Sequence, residues 1–163
     1  MISLIPPFMT TFKVADGHYK KTTFPHALYS GGVGPCLVVG ALHLQDAYML
    51  HNSAPTEIVL EPLEKMLLNL RQDVKKGENL SLYVIGREPV YELELIADAK
   101  VDQASILHMI CQQGFGGNIK KVEWCKQGQC QSLYLSTLTK KATIETDPAQ
   151  EQTEWYDEED PFE

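Results

Sequence analysis

Cys36 closes a glycine-rich turn, Ser30-Gly31-Gly32-Val33-Gly34-Pro35-Cys36, and His51 follows fifteen residues later. A thiol and an imidazole together can hydrolyse an amide. The thiolate is the nucleophile, and an adjacent imidazolium lowers the cysteine pKa. The imidazolium then protonates the departing nitrogen, and the neutral ring activates water for deacylation. Gly31, Gly32 and Gly34, with Pro35 beside the nucleophile, give a turn whose backbone N–H groups can line an oxyanion hole. Ser30 can hydrogen-bond the imidazole and fix its tautomer, the third-member role of a triad. Tyr29 can wall the pocket. The same residues also admit a plain structural reading: a Cys opening an apolar strand is often a small buried hydrophobe, and a His closing the next strand a satisfied boundary residue.

These side chains meet only if the intervening chain folds back. After Cys36 comes an apolar run, LVVGALHL, then the polar break Gln45-Asp46, then AYMLH. This pattern predicts a β-hairpin deep in the core. A loop of two residues (Leu44-Gln45) or of four (His43 to Asp46) pairs Val38 with His51 and Cys36 with Ser53. Cys36 and His51 are then diagonal neighbours on one face, about 7–8 Å apart at Cα and within side-chain reach. An odd loop or a bulge breaks that geometry.

The rest of the chain supplies the scaffold. Residues 1–27 read as an irregular lead-in broken by Pro6, Pro7, Gly17 and Pro25. The run EPLEKMLLNLRQDVKKG is an amphipathic helix with Leu63, Met66, Leu67, Leu70 and Val74 on one face and Gly77 as its stop. LSLYVIGR (80–87) is a strand, and the alternation in VYELELIAD (90–98) predicts a second one. DQASILHMICQQGF is a second helix, capped by Asp102 or Ser105, ended by Gly114, with Ala104, Leu107 and Cys111 on its apolar face. His108 reads as structural. KKVEWC, a KQGQ turn and CQSLYLSTL predict a closing hairpin with Cys125 and Cys130 opposite each other as a reduced pair. The fold class is therefore α/β, a layered sandwich with a mixed, largely antiparallel sheet and two main helices. Residues 28–144 form its domain, and 145–163 an acidic, disordered tail. His43 sits at the hairpin turn; His18 and His26 fall in the lead-in.

Composition narrows the function classes. Net charge is −8, but the chain after Lys141 holds nine acidic and no basic residues, so the remainder carries a net of +1. No basic stripe for nucleic acid exists. No run of eighteen apolar residues spans a membrane. The first residues lack the basic and apolar regions of a secretory signal. Four cysteines, unevenly placed, suit a reducing cytoplasm better than a disulfide scaffold. Zinc at Cys125 and Cys130 is not expected, for want of further ligands near them in sequence.

The order of glycine-rich turn, Cys, apolar hairpin, His, helix, strand, helix and terminal hairpin resembles the chemoreceptor glutamine deamidases of bacterial chemotaxis. It is similar too to the catalytic domains of cytotoxic necrotizing factor and Burkholderia lethal factor, over roughly residues 28–144. In that family the nucleophile falls on Cys36, its partner on His51, and a third residue, Thr in the chemotaxis enzymes, on Ser30. Pro35 stands where the family has Ser, which removes a hydroxyl and a backbone N–H. The resemblance implies hydrolysis of a protein glutamine side chain to glutamate and ammonia through a Cys36 thioester, without metal or organic cofactor.

The expected partner is thus a protein carrying a target glutamine, in the bacterial cytosol or, for a secreted effector or toxin, the host cytosol. Transglutamination or peptide-bond hydrolysis by the same pair, or a non-catalytic protein-binding module on the same fold, are the alternatives. Trp155, Tyr156 and Phe162 in the tail are candidates for docking a further protein.

Overall fold

The computed structural model describes residues 8–53, 60–75, 78–88 and 93–148, and for residues 93–101 the backbone alone. The chain is an α/β sandwich of three layers. A four-stranded sheet stacks on a five-stranded sheet, and two helices cover the latter's other face.

Nine strands and two long helices make up these layers among the described residues. The first sheet is ordered β1 (Thr11–Lys13), β3 (Ala27–Val33), β8 (Gln129–Ser136), β9 (Lys141–Pro148). The second is ordered β2 (Tyr19–Thr23), β5 (Asp46–Asn52), β4 (Leu37–His43), β6 (Leu80–Gly86), β7 (Ile119–Trp124). Among the described residues, only the β1–β3 and β6–β7 pairings are parallel.

The central hairpin β4–β5 turns through Leu44-Gln45, with Leu44 in the left-handed region at φ 52°. Leu37 pairs with Asn52 and Val38 with His51, the register expected from a two-residue loop. Strand alternation then sends the two faces into different cores. Val38, Leu42, Ala47 and Met49 meet Leu28, Leu133 and Leu135 of the first sheet. Leu37, Val39, Ala41, Tyr48 and Leu50 meet the helices. Burial on both faces explains why β4 reads as a continuous apolar run.

Helix α1 (Glu61–Asp73) buries Leu63, Met66, Leu67 and Leu70, and Val74 just beyond it, as its periodicity predicts. The proposed stop at Gly77 lies outside the described residues. Helix α2 (Leu93–Gln112) is longer than expected: Leu93 to Asp98, expected in a strand, are its first turns. Glu92, Glu94 and Leu93, Leu95 alternate over too few residues to outweigh the helical continuation that follows. Asp102 is therefore inside α2 rather than at its cap. The buried stripe is Ile106 and Ile110, whereas Ala104, His108 and Cys111 are exposed. The stripe expected through Ala104, Leu107 and Cys111 is displaced because Ile106 and Ile110 carry more apolar area to bury. Gly114, at φ 89°, does end the helix region.

Three further expectations change. The lead-in is structured: β1 and β2 lie within residues 1–27, one in each sheet. The closing hairpin does not form, because β7 pairs with β6 while β8 pairs with β3 and β9, so Cys125, just past β7, and Cys130, near the start of β8, belong to different sheets. Neither forms a disulfide. Residues 145–148, assigned to the tail, continue β9. Trp155, Tyr156 and Phe162 lie outside the described residues. Among the described residues no helix is long and apolar enough to cross a membrane.

Candidate active site

The two sheets meet at one end through the Cys36 turn. In β3 the register with β8 slips between Ser30 and Val33, where β3 spends three residues against two in its partner. Gly32 at φ 64° accommodates the extra residue of this bulge. The slip keeps Ser30 and, past it, Val33 both buried on the inner face, although they differ in parity. The chain then turns through Gly34 and Pro35 into β4, bringing Cys36 from the first sheet to the second.

His51 reaches the same place from β5, on the face shared by Ala47 and Met49, and is buried at 5% exposure. Ser30 Oγ lies 3.0 Å from His51 Nδ1 and donates its own proton to the Val14 carbonyl at 2.5 Å. With that one hydrogen committed, the hydroxyl can only accept from the ring, which places a proton on Nδ1. Nε2 of the neutral ring is then the basic nitrogen, and it faces the carboxylate of Asp16, with Oδ1 4.0 Å away.

Asp16 also meets the thiol: Cys36 Sγ lies 3.9 Å from Asp16 Oδ1. The thiol, one imidazole nitrogen and one carboxylate oxygen all fall within 4.8 Å of one another. Asp16 is held by the crossing between sheets. After β1, Val14 is buried and its N–H bonds Tyr29 O at 2.7 Å. The chain then turns at Gly17 (φ 81°), whose N–H bonds His51 O at 2.8 Å, while His51 N–H bonds His18 O at 2.9 Å. These two bonds extend the β2–β5 ladder around His51 and fix the Asp16 turn over it. Ser53 Oγ adds a 3.3 Å bond to the other Asp16 oxygen.

Burial lowers the His51 pKa below its ordinary value, and the Asp16 carboxylate opposes that shift, as does the Val14 carbonyl. A resting imidazolium is therefore disfavoured. The arrangement suits a neutral base that becomes charged only while it takes a proton, with Asp16 beside the charge as it develops.

The Cys36 turn is braced from behind. Gly86, at φ 96°, lets Cys36 O approach so closely that a Cβ there would stand 2.1 Å from it. Arg87 N–H bonds Cys36 O at 2.7 Å and Glu88 N–H bonds Gly34 O at 2.8 Å. The buried Arg87 side chain pairs with Asp102 Oδ2 and reaches Pro35 O at 3.3 Å. Gln131 Oε1 accepts the Gly86 N–H at 2.8 Å, and Gln131 Nε2 donates to Glu123 O at 3.0 Å. Glu88 takes the Gly128 N–H at 2.9 Å, and its burial raises the carboxyl pKa. Close by, burial pushes the Cys125 thiol up to about 12, so it stays protonated.

The structure brings Cys36, His51 and Ser30 together as expected from the sequence. Gly32 serves the bulge, and the Gly34 and Pro35 carbonyls accept from the Glu88 N–H and the Arg87 side chain. Tyr29 is a correction. Alternation in β3 sends it to the opposite face from Ser30, where its hydroxyl stands over Gly31 on the outside of the sheet. It does not wall the Cys36 site. His18 and His43 do not join the cluster, and His26 Nδ1 accepts the Thr10 N–H at 3.0 Å. Sequence reasoning does not single out Asp16. Its Asp-Gly pair marks a tight turn, but nothing local in the sequence ties that turn to Cys36.

Compared with known proteins, the chain matches no family model, and no curated protein matches its sequence.

Proposed function

We propose that this chain is a cysteine-dependent amidohydrolase that converts a protein glutamine to glutamate, with Cys36 as nucleophile. The reading is carried by one observation: the Cys36 thiol, the His51 imidazole and the Asp16 carboxylate converge within 4.8 Å, with Ser30 behind the ring.

In this mechanism neutral His51 Nε2 takes the Cys36 proton as sulfur attacks the side-chain amide. The imidazolium so formed is stabilised by Asp16 and then delivers its proton to the leaving nitrogen, releasing ammonia and leaving a thioester. Water, deprotonated by the neutral ring, attacks the thioester and restores the thiol. Asp16 thus assists transition-state charge instead of ionising the thiol in advance.

A protein substrate fits the openness of the site. Cys36 is half-buried, while the Asp16 side chain is 56% exposed and Ser53 is exposed. A glutamine projecting from a folded surface reaches such a site more readily than a small molecule is enclosed by it. Water as acceptor gives deamidation; a primary amine gives transglutamination. The bacterial cytosol, or a host cytosol entered by an effector or toxin, is the setting this chemistry suits.

The test is a substrate search. Intact protein, incubated with bacterial or eukaryotic lysate proteins, is expected to produce glutamine-to-glutamate conversions in tryptic peptides, and Cys36→Ser to abolish them. Conversions that persist in folded Cys36→Ser would exclude Cys36 as nucleophile. A labelled primary amine incorporated in place of water would move the assignment to transglutamination.

A further inference from the structure

We propose that Asp16, Cys36 and His51 also form a zinc site, and that zinc there caps the nucleophile. This inference rests on the hydrolase reading for its regulatory meaning, although the metal chemistry stands by itself.

The three ligand types are those zinc selects: a thiolate, an imidazole nitrogen and a carboxylate oxygen. They come from three separate segments: the loop between β1 and β2, the turn before β4, and β5. Cys36 Sγ and His51 Nε2 stand 3.9 Å and 4.0 Å from the same Asp16 oxygen. Around a tetrahedral zinc with bonds of about 2.0–2.3 Å, neighbouring ligand atoms stand roughly 3.3–3.6 Å apart. The contraction required is roughly 0.3–0.7 Å along these two edges and at most about 1.2–1.5 Å along the third, whose upper limit is 4.8 Å. The exposed Asp16 carboxylate can swing to close its own two edges, and rotation about the Cys36 Cα–Cβ bond closes the Cys36–His51 edge.

Outer partners are already in place. Metal-bound histidines commonly donate their other ring N–H to an oxygen acceptor, which fixes the tautomer. His51 Nδ1 does so toward Ser30 Oγ, leaving Nε2 for the metal. Asp16 Oδ2 accepts from Ser53 Oγ, leaving Oδ1 on the inner side. Among the described residues no second group of three His, Cys, Asp or Glu ligand atoms comes this close. Three protein ligands leave the fourth zinc position for water. Binding releases the Cys36 thiol proton to solvent and ties up the sulfur lone pair that attack on an amide needs.

The test uses the full chain and the metal alone. Cobalt titration of the reduced protein should give one equivalent, tetrahedral d–d bands and a thiolate-to-cobalt charge-transfer band that vanishes in Cys36→Ser. Zinc, measured by competition with a chromophoric chelator, should bind roughly 10–100-fold more weakly in Ser30→Ala, as expected for loss of an outer partner. Asp16→Asn, an exposed substitution that leaves the core intact, should weaken it at least as much. Zinc should also slow Cys36 alkylation in proportion to occupancy. Lack of saturable binding, or binding unchanged by Cys36→Ser, would overturn the site. The two readings separate cleanly. Fast, His51-dependent alkylation without zinc binding removes the metal site and leaves the hydrolase; zinc binding with slow, His51-independent alkylation keeps the metal site and removes the hydrolase.

Discussion

Ser30 and His51 lie on different sheets, yet Ser30 Oγ stands 3.0 Å from His51 Nδ1 with its only proton turned to the Val14 carbonyl. The pair joins the two layers and sets which ring nitrogen faces Cys36. The Nδ1–H tautomer is therefore expected at neutral pH, visible in the imidazole ¹⁵N shifts of His51. Ser30→Ala should lose the preference and about 1 kcal/mol of stability, the usual worth of one such bond. Ser30→Thr should restore the tautomer. An unchanged ¹⁵N pattern in Ser30→Ala would remove Ser30 from any positioning role.

The lowered His51 pKa has a consequence for stability. Above about pH 6.5 the ring is neutral folded and unfolded alike. Below that value the unfolded chain takes up a proton that the folded protein resists, because burial opposes the charge. Stability is thus present above the unfolded pKa and falls as pH drops through and below it. Urea midpoints measured from pH 8 to pH 5 should decline in the wild type and less steeply in His51→Gln. Equal slopes would contradict the assigned burial effect.

Asp16 presents a different balance. An exposed carboxylate beside a transient imidazolium contributes up to about 1 kcal/mol, or roughly fivefold in rate. Asp16→Asn should slow Cys36 acylation by about that factor, whereas His51→Ala should cost roughly 10²–10⁴-fold. The ratio is read by single-turnover acylation with an activated ester. A loss for Asp16→Asn as large as that for His51→Ala would give Asp16 a direct role in proton transfer.

The brace behind the turn makes its own prediction. Arg87 is buried and paired with Asp102, so Asp102→Ala removes a counter-charge from a buried guanidinium and should cost up to about 3–5 kcal/mol. Gly86→Ala should be more severe than Gly17→Ala. Both glycines have positive φ, but a Cβ at Gly86 would strike Cys36 O, while one at Gly17 meets nothing within 4 Å. Gly17→Ala should cost only the left-handed penalty of about 1–2 kcal/mol. Chemical denaturation of the two variants orders them.

Much of this site is legible in the chain because it depends on one hairpin. A two-residue loop between apolar runs fixes the pairing of Val38 with His51, and period-two alternation then puts Cys36 on the same face. Ser30 follows from its place just before the glycines. Helix α1 is legible for a similar reason, since its apolar spacing is purely local. Asp16 was hidden because its position depends on β1 and β2 joining different sheets, a non-local choice with no periodicity behind it. The same applies to β7 and β8. Each looks like half of a hairpin, but Trp124 finds its partner in Gly86, and Gln131 in Val33. Residues 93–98 misled for a local reason, since two Glu–Leu repeats fit a short strand as well as the first turns of a helix.

The most direct test is the pH dependence of Cys36 alkylation, followed by peptide mass spectrometry in wild type and His51→Ala without added metal. An activated pair predicts rapid labelling that persists well below the ordinary thiol pKa of about 8.5 and falls only as His51 protonates. In His51→Ala, labelling should be slow and should follow that ordinary pKa. Identical, slow profiles in the two proteins would contradict the hydrolase and leave Cys36 a structural thiol.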